Sequence, residues 1–299
     1  MFLPIVLTCD DKYFKYANVV ITSILENKNK NCFYEFNILS EFISEPNKEK
    51  MTKQLERYSN ASCRFIELEN INSEKFHLNS YMNASTYYRF YIPKIFKDYE
   101  RILYLDSDLI VDYDISSFAT IDFENKLAIC CYSPYIRNIV KNGGNDLFPI
   151  SYFTNILKMS TPQEYFNAGV MLYNMKKITT EKLESKFFEA IEQIKTPKLQ
   201  DQDILNSVLS NNGGVKFVDQ RFNNTRCIKI TKKRILYNRL LHKIGVKDKN
   251  KLFFIYHYVG KDKPWNSPRK EDSILFEYYA KKSPFYKEIL LEDKKNSNL

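Results

Sequence analysis

The stretch RILYLDSDLIV, residues 101–111, decides the predicted fold. Residues 102–105 form an apolar run of strand-forming character and predict a buried β-strand. Asp106 and Asp108 follow it directly, and the chain becomes apolar again at residues 109–111. Because residues i and i+2 of an extended chain share one face, we expect the two carboxylates to lie side by side.

Strand-like and helical patterns alternate on both sides of this stretch. Further strand-like runs lie at residues 4–9, 34–40, 63–68, 127–131, 169–175, 215–219 and 252–260. Helical patterns lie at residues 17–25, 44–59, 84–96 as far as Pro93, 181–194 and 201–210. The alternation predicts an α/β fold with a mainly parallel central sheet flanked by helices. Ligands of such sheets bind at the carboxyl ends of the strands, which places Asp10 and Asp11 on the same rim as Asp106.

Two segments lack these patterns. Residues 133–164 have little periodicity and contain Gly143 and Gly144, so they predict a long, mobile loop. The charged tail from about Ser283 is predicted to be poorly packed.

The composition excludes several classes of protein. Of the 299 residues 44% are hydrophobic and 27% are charged, which is typical of a globular chain. Only seven glycines are present, and neither G-x-x-x-x-G-K-[ST] nor G-x-G-x-x-G occurs, so P-loop and dinucleotide fingerprints are excluded. The net charge of +9 favours an anionic partner or reflects a solvated, lysine-rich surface. No nucleic-acid-binding module is recognisable, so we predict no nucleic-acid partner and favour a membrane surface.

Targeting signals are not evident in the sequence. The apolar start MFLPIVLTC, residues 1–9, has no basic region before it, and no apolar run approaches about 18 residues. The six cysteines include no C-x-x-C pair and are expected to be buried thiols rather than disulfides. These features predict a cytoplasmic protein.

The aspartate pair admits two interpretations. Two carboxylates on one face repel each other unless a cation lies between them or one is protonated. A hard ion such as Mn²⁺ or Mg²⁺ suits oxygen ligands and also holds phosphate oxygens, so the pair predicts a metal clamp for a phosphorylated substrate. Alternatively, Asp106-Ser107-Asp108 is a turn that caps the next element.

His257 is the second candidate ligand. It lies in the aromatic run FFIYHYVGKDKPW, residues 253–265, and is either a packed core histidine or a metal ligand. Gly260 and Lys263 follow it. A glycine that permits close backbone approach and a lysine beside a metal ligand suit a diphosphate.

Two further units carry polar groups. In YFNAGVMLYNM, residues 165–175, the amide of Asn167 with two small neighbours suits a sugar hydroxyl, or marks an ordinary turn into a strand. In LQDQDILN, residues 199–206, the acidic residues are explained equally well as helix-stabilising first-turn residues.

Taken in order, these motifs resemble glycosyltransferase family 8, which includes glycogenin and bacterial lipopolysaccharide α-galactosyl- and α-glucosyltransferases. The resemblance covers about residues 3–268, and it also draws on IVLTCDDKY and STYYRFYIP. It implies a Rossmann-like A-type glycosyltransferase fold, with residues 1–268 as the nucleotide-sugar transferase domain. Residues 269–299 would then be a basic C-terminal helix and tail, a candidate for membrane attachment.

The resemblance also implies roles for individual residues. Asp106, Asp108 and His257 would bind Mn²⁺, or Mg²⁺ in its place, which bridges the phosphates of a UDP-sugar donor. The remaining donor-binding residues would be Thr8, Asp10 and Tyr13 at uridine, Ser107 between the aspartates, Gly260 and Lys263 at the diphosphate, Arg89 near the donor sugar, and Asn167, Ala168 and Gly169 along the sugar.

Family members retain anomeric configuration, and Gln202 and Asp201 are the catalytic candidates by resemblance. An amide is a poor nucleophile, so we favour same-face attack in which the departing phosphate deprotonates the acceptor hydroxyl. Two positions depart from the family pattern. Lys12 replaces a frequent asparagine, and Tyr132-Ser133-Pro134 stands where relatives can place an aspartate near the sugar. The identity of the sugar is therefore left open.

The resulting prediction is transfer of galactose or glucose from a UDP-sugar to lipopolysaccharide, lipooligosaccharide or another glycan, at the cytoplasmic face of the inner membrane. Three alternatives stay open. A phosphatase of the haloacid dehalogenase type would use Asp106 as nucleophile, although Ile110 stands where a threonine or valine is usual. A non-catalytic UDP-sugar-binding protein would keep the same pocket. A self-glucosylating protein would modify one of the 22 tyrosines.

Overall fold

The computed structural model describes residues 1–69, 71, 76–77, 84–225, 233, 253–266 and 273–297. The strands are β1 (Phe2–Thr8), β2 (Phe33–Ser40), β3 (Ala61–Glu67), β4 (Arg101–Leu105), β5 (Leu109–Val111), β6 (Ala128–Tyr132), β7 (Phe166–Asn174), β8 (Val215–Phe217) and β9 (Ile255–His257). The α-helices are α1 (Phe14–Glu26), α2 (Glu45–Leu55), α3 (Ile92–Ile95), α4 (Pro134–Lys141), α5 (Met175–Thr180), α6 (Leu183–Gln193), α7 (Asp201–Asn211), α8 (Ile274–Ala280) and α9 (Tyr286–Ser297).

Seven strands form one sheet in the order β3-β2-β1-β4-β7-β6-β8. All neighbouring pairs are parallel except those of β7, which runs antiparallel to both β4 and β6. The predicted α/β fold with a mainly parallel sheet is therefore confirmed. Because β7 is reversed, its first residues lie at the same edge of the sheet as the last residues of β1 and β4.

The sheet separates two hydrophobic cores. Successive residues of β4 alternate between them: Leu103 and Leu105 pack in the core that contains α1, while Ile102 and Tyr104 pack in the core that contains α6 and α7. This period of two is the pattern expected of a central strand covered on both faces.

The strand predicted at residues 102–105 is β4, and residues 109–111 form a separate strand, β5. β4 ends at Leu105, and β5 pairs with β9 in a separate two-stranded sheet in which Leu109 lies opposite His257. The aspartates therefore occupy the connection between two sheets, not one strand face. The predicted run at residues 252–260 is likewise shorter, because the pairing edge of β5 is only three residues long.

Two local predictions were wrong. Residues 84–91 form a 3₁₀-helix, and Pro93 lies in the first turn of α3 rather than at a helix end, where its fixed φ and missing N–H cost nothing. Residues 133–164 are not a loop throughout. They contain α4, a π-helical turn (Tyr152–Ile156) and a 3₁₀ turn (Pro162–Glu164).

The C-terminal segment is packed rather than loose. Phe285 is fully buried, with its ring edge-on to Phe14 of α1 at 5.5 Å. Glu292 pairs with Lys15 and accepts a 2.9 Å hydrogen bond from Tyr16 Oη. The apolar residues of this charged segment thus anchor α9 to α1.

The described cysteines form no disulfide, and all of them are buried, as predicted, except Cys63, which is half-buried. Cys9, Cys32, Cys63, Cys130 and Cys131 are free thiols, whereas Cys227 lies outside the described residues. Among the described helices none is long and apolar enough to cross a membrane.

We predict that the substitution Phe285→Ala lowers the free energy of unfolding by about 3–5 kcal/mol, because it leaves a cavity under α9. Leu291→Ala on α9 is the control; this side chain is 62% exposed, so the change should stay within about 0.5 kcal/mol. Urea denaturation measures both. An equally small effect of Phe285→Ala would contradict the observed packing.

Candidate functional site

Three chain segments meet at one rim of the sheet. Ser107 Oγ donates to the carbonyl of Thr8 at the end of β1, over 2.9 Å. The Asp106 N–H donates to the carbonyl of Gly169, near the start of β7, also over 2.9 Å. The predicted common rim of the first strand and the aspartate pair is thus present, and the reversal of β7 adds small residues to it.

Asp106, Asp108 and His257 converge at this rim. One potential ligand atom from each lies within 4.8 Å of the others. His257 Nε2 is 3.1 Å from Asp108 Oδ1 and 3.4 Å from Asp106 Oδ2. The pairing of β5 with β9 causes this convergence, because it places His257 opposite Leu109, the residue that follows Asp108.

Arg89 neutralises the inner side of the cluster. It is 4% exposed, and its Nη2 donates to Asp106 Oδ1 over 2.6 Å. Its Nη1 donates to the Ala168 carbonyl over 2.8 Å, and its Nε lies 3.0 Å from Asp201 Oδ2. The guanidinium also stacks 4.1 Å above the ring of Tyr104. Arg89 therefore lies beside the aspartate pair.

Neighbouring charges favour the ionised forms of the Asp106 and Asp108 carboxylates and of the His257 imidazole. Burial raises the pKa of Asp106, but Arg89 and then His257 lower it, so that it ends below its ordinary value. For Asp108, burial is likewise outweighed by Lys263 and His257, which leaves a lowered pKa. Burial lowers the pKa of His257, but Asp108 followed by hydrogen bonding to Asp106 raises it to about 9.

Residue 169 must be a glycine because His257 and Asp106 lie directly against its backbone. A Cβ atom at this position would lie 2.1 Å from His257 Cε1 and 2.7 Å from Asp106 Oδ2. Such contacts cannot be relieved by the far end of a flexible side chain, because the ring and the carboxylate are both held in place. The glycine therefore admits the imidazole ring against the backbone of β7.

The start of α7 faces the start of β7. Gln202 Oε1 accepts hydrogen bonds from Asn167 Nδ2 at 3.0 Å and from the Ala168 N–H at 3.1 Å. Burial raises the pKa of Asp201 to about 7, although Arg89 lowers it. Asp203 is fully buried, and its oxygens accept from the hydroxyls of Tyr152 and Tyr165 and from the N–H of Leu199. The structure thus brings the predicted sugar-side residues together.

The predicted uridine residues lie at the other end of the site. Asp10 Oδ1 accepts the N–H of Tyr13 over 2.6 Å, which holds the turn into α1. The Tyr13 ring is edge-on to Trp265 at 5.7 Å, and Trp265 stacks on Tyr16 at 4.0 Å. Burial and then the nearby charge of Asp108 raise the pKa of Tyr13. Thr8 Oγ1 lies 3.1 Å from the hydroxyl of Tyr104.

The loop after β9 supplies the outer charge. Lys263 Nζ donates to Asp108 Oδ2 and to the Tyr258 carbonyl. Gly260 has a φ of 81°, and a Cβ there would meet no atom within 4 Å. In this structure the backbone conformation accounts for the glycine, and close approach of another group does not.

Sequence reasoning did not identify three members of the site. Tyr104 donates to Asp106 Oδ1 over 2.8 Å, and its position two residues earlier on the chain could have indicated this. Trp265 ends the run FFIYHYVGKDKPW, and it stacks on Tyr16 beside Tyr13, a contact that no local pattern indicates. Asn223 Oδ1 accepts from His257 Nδ1 at 3.0 Å, and no pattern around Asn223 in the sequence marks it.

Comparisons with known proteins identify relatives of this chain. The lipopolysaccharide 1,3-galactosyltransferase of Salmonella typhimurium is 29% identical over 273 residues, which are 86% of this chain and 71% of that protein. The lipopolysaccharide 1,2-glucosyltransferase of Escherichia coli is 26% identical over 267 residues, again 86% and 71%. The crystal structure of galactosyltransferase LgtC in complex with donor and acceptor sugar analogs matches with a TM-score of 0.71 at 25% identity, over 93% of this chain and 94% of that one.

The match to LgtC confirms the predicted A-type glycosyltransferase fold. The family model for glycosyl transferase family 8 matches residues 4–268, which is nearly the whole chain. The chain therefore belongs to glycosyl transferase family 8.

Proposed function

We propose that this protein transfers a hexose, galactose or glucose, from a UDP-sugar to a lipopolysaccharide, lipooligosaccharide or other glycan acceptor, with retention of configuration and with a bound divalent ion. The observation that carries the proposal is the Asp106–Asp108–His257 cluster beside the small residues of β7. The similarity to a lipopolysaccharide 1,3-galactosyltransferase and a lipopolysaccharide 1,2-glucosyltransferase supports the acceptor class.

The cluster fits a hard divalent cation. Two carboxylates and one imidazole form an oxygen and nitrogen set that suits Mn²⁺, with Mg²⁺ as a substitute. Asp108 Oδ1 is buried, and its one close polar neighbour in the described part of the chain is His257 Nε2 at 3.1 Å, which would itself be a ligand of the ion, so this oxygen is available to a cation. When bound, such an ion supplies Lewis-acid stabilisation of the charge that develops on the leaving UDP.

The donor would extend along the rim from β1 to β7. Thr8, Asp10 and Tyr13 would hold the uridine, and Ser107 lies between them and the aspartates. Lys263 and Gly260 would contact the diphosphate. Support comes from the position of Lys263, whose ammonium lies against Asp108 and therefore close to any phosphate at the cluster.

The sugar would lie against the start of β7 and α7. Arg89 and the residues at positions 167–169 form its floor, with Asp201 and Gln202 beside them. Arg89 uses its polar groups on Asp106, Ala168 and Asp201, which fixes the distance between the ion cluster and this floor.

The hydrogen bonding favours same-face attack. Gln202 Oε1 already accepts two hydrogen bonds, so its carbonyl is a poor nucleophile. Asp106 Oδ1 accepts from Arg89 and Tyr104, which also argues against an aspartyl-phosphate at this residue. A double-displacement mechanism needs a free carboxylate on the far face of the sugar. We therefore propose that the departing phosphate takes the proton of the acceptor hydroxyl as that oxygen attacks.

We place the protein at the cytoplasmic face of the inner membrane, with residues 1–268 as the transferase domain and residues 269–299 as the attachment segment. On α9 the side chains of Lys287, Leu290 and Leu291 are exposed. Basic and aliphatic side chains on one helix suit an anionic lipid surface. The basic stretch at residues 228–243 lies almost entirely outside the described residues.

We predict that turnover requires Mn²⁺ and a UDP-sugar. Asp108→Ala should lower the transfer rate at least ~10²-fold, because the leaving group loses its stabilising charge. The control is Asp122→Ala, an exposed aspartate before β6, which should change the rate less than ~2-fold. The assay screens UDP-galactose, UDP-glucose and GDP-mannose with Mn²⁺. Full activity after exhaustive EDTA treatment, or equal use of GDP-mannose, would count against the proposal.

We predict that Mn²⁺ affinity rises with pH up to about pH 9. A protonated imidazole has no lone pair for a metal, and the pKa of His257 is about 9 before metal binds. Each bound ion should therefore release close to one proton near pH 7, and affinity should fall up to ~10-fold per unit below pH 9. Calorimetry in buffers of different ionisation enthalpy measures the release. Affinity that is constant between about pH 6.5 and 8.5 would disprove the linkage.

We predict binding to anionic vesicles that weakens with salt. Leu290→Glu/Leu291→Glu should reduce sedimentation with phosphatidylglycerol vesicles ~10-fold or more, since two apolar contacts are replaced by repelled charges. Neutral phosphatidylcholine vesicles are the lipid control. If the unaltered protein stays in the supernatant with anionic vesicles at low salt, the membrane location is wrong and the transferase proposal is unaffected.

A further inference from the structure

His257 has a second nitrogen that no role has yet explained. Its Nδ1 lies 3.0 Å from Oδ1 of Asn223, a side chain that is fully buried. Asn223 follows a short 3₁₀ turn that runs beside β9, where the N–H of Asn224 donates to Ile255. The backbone of that turn therefore carries Asn223 to the back of the imidazole ring.

The direction of this hydrogen bond is fixed by a backbone group. The Gly169 N–H can only donate, and it donates to Asn167 Oδ1 over 3.0 Å. The Asn223 atom that lies 2.8 Å from the same oxygen must then be the amide nitrogen. Asn223 thus turns its oxygen to His257, so Nδ1 carries a proton. In the neutral ring the lone pair is left on Nε2, toward Asp106 and Asp108.

The same chain of bonds continues to α7 in one direction. The Ala168 N–H marks Gln202 Oε1 as the acceptor, and that oxygen also accepts from Asn167 Nδ2. Gln202 Nε2 then donates to Tyr165 Oη at 3.3 Å. Tyr165 in turn donates to the buried carboxylate of Asp203 at 2.5 Å. Every donor from the imidazole to this carboxylate points the same way.

We propose that Asn223 is a positioning residue, which fixes the protonated nitrogen and the ring orientation of His257 and joins the ring to the sugar-side amide of Gln202. The proposal rests on the proposed function, because it assigns Asn223 to the support of His257, a proposed ligand of the divalent ion. Partners that orient metal-binding histidines typically contribute 10–100-fold to affinity or activity. This chain of hydrogen bonds ends on the carboxylate of Asp203, so the orientation of the imidazole ring is anchored in the core beneath α7.

The two halves of the Asn223 amide have separate tasks. Its oxygen accepts from His257, and its nitrogen donates to Asn167. Asn223→Ala removes both groups. Asn223→Asp keeps the acceptor for His257 but places an oxygen against Asn167 Oδ1, so it interrupts the chain on the sugar side only.

The test combines a metal-free and a metal-loaded measurement. Nitrogen-15 NMR of the labelled histidines, of which the chain has three, should show an exchange-protected Nδ1–H for His257 in the unaltered protein and in Asn223→Asp, and lose it in Asn223→Ala. Mn²⁺ affinity should fall ~10–100-fold in Asn223→Ala and stay within ~3-fold in Asn223→Asp. Transfer should fall ~10-fold or more in both variants.

Asn18→Ala is the matched control. Asn18 is a fully buried amide of α1 that donates to Met51 and Gln54, away from the site. Thermal unfolding then normalises the loss of stability. If Asn223→Ala lowers Mn²⁺ affinity no more than Asn18→Ala, or if its Nδ1–H signal is unchanged, Asn223 is only structural. If Asn223→Ala does not fold, loss of the Nδ1–H signal in the isosteric Asn223→Asp overturns the proposal.

If the unaltered protein binds no Mn²⁺, the proposed metal-dependent function fails. The Nδ1–H signals of the metal-free variants still decide whether Asn223 positions the ring, so the two failures are distinguishable.

Discussion

The structure depends on two partly buried aspartates at the end of a central strand, whose side chains are 25% and 15% exposed. A buried carboxylate is costly unless it is paired and hydrogen-bonded. Here Arg89 and Tyr104 act on the inner side of Asp106, and His257 and Lys263 act on Asp108. These partners come from segments far apart in the chain. Several features of the fold bring compensating charge to the aspartates. The pairing of β5 with β9 places His257 beside them, and the loop after β9 places Lys263 beside Asp108.

The reversed strand β7 is the second requirement. In a fully parallel sheet the neighbour of β4 would begin at the opposite edge, and the site would have carboxylates without a facing floor. Because β7 runs the other way, its first residues pair with the end of β4, and Gly169 gives the imidazole room against the backbone. A methyl group at position 169 would overlap the imidazole ring. The three candidate ligands can therefore converge only because residue 169 has no side chain.

The sequence predicted the features that depend on local pattern. The apolar runs located most strands, because alternation and burial leave a period that can be counted. The aspartates, the histidine and the asparagine-alanine-glycine unit were noted as polar groups beside apolar runs, and the resemblance to the family joined them into one predicted site. What could not be predicted depends on distant contacts. The tail was expected to be loose because its charge is visible in the sequence, whereas the contact of Phe285 with Phe14 is not. Pro93 reads as a helix end until the turn before it is known to be a 3₁₀-helix. Asn223 has no signature at all, since its role exists only when the turn before residue 224 lies beside β9.

Three amide side chains, those of Asn223, Asn167 and Gln202, link His257 to the start of α7. Their neutrality suits the charges that are already present around them. Asp106, Asp108 and Asp201 oppose Arg89, Lys263 and His257 within a few hydrogen bonds of one another. A further carboxylate among them would add a buried charge without a partner, and a further lysine would compete for the aspartates. Amides add none, yet each offers one acceptor and one donor group, so a row of three transmits orientation without disturbing the balance. The row becomes charged only at Asp203, where two tyrosine hydroxyls and a backbone N–H meet the carboxylate in the core. These neutral links between charged ends would hold the proposed ion site and the proposed sugar floor in a fixed relation at one rim of the sheet.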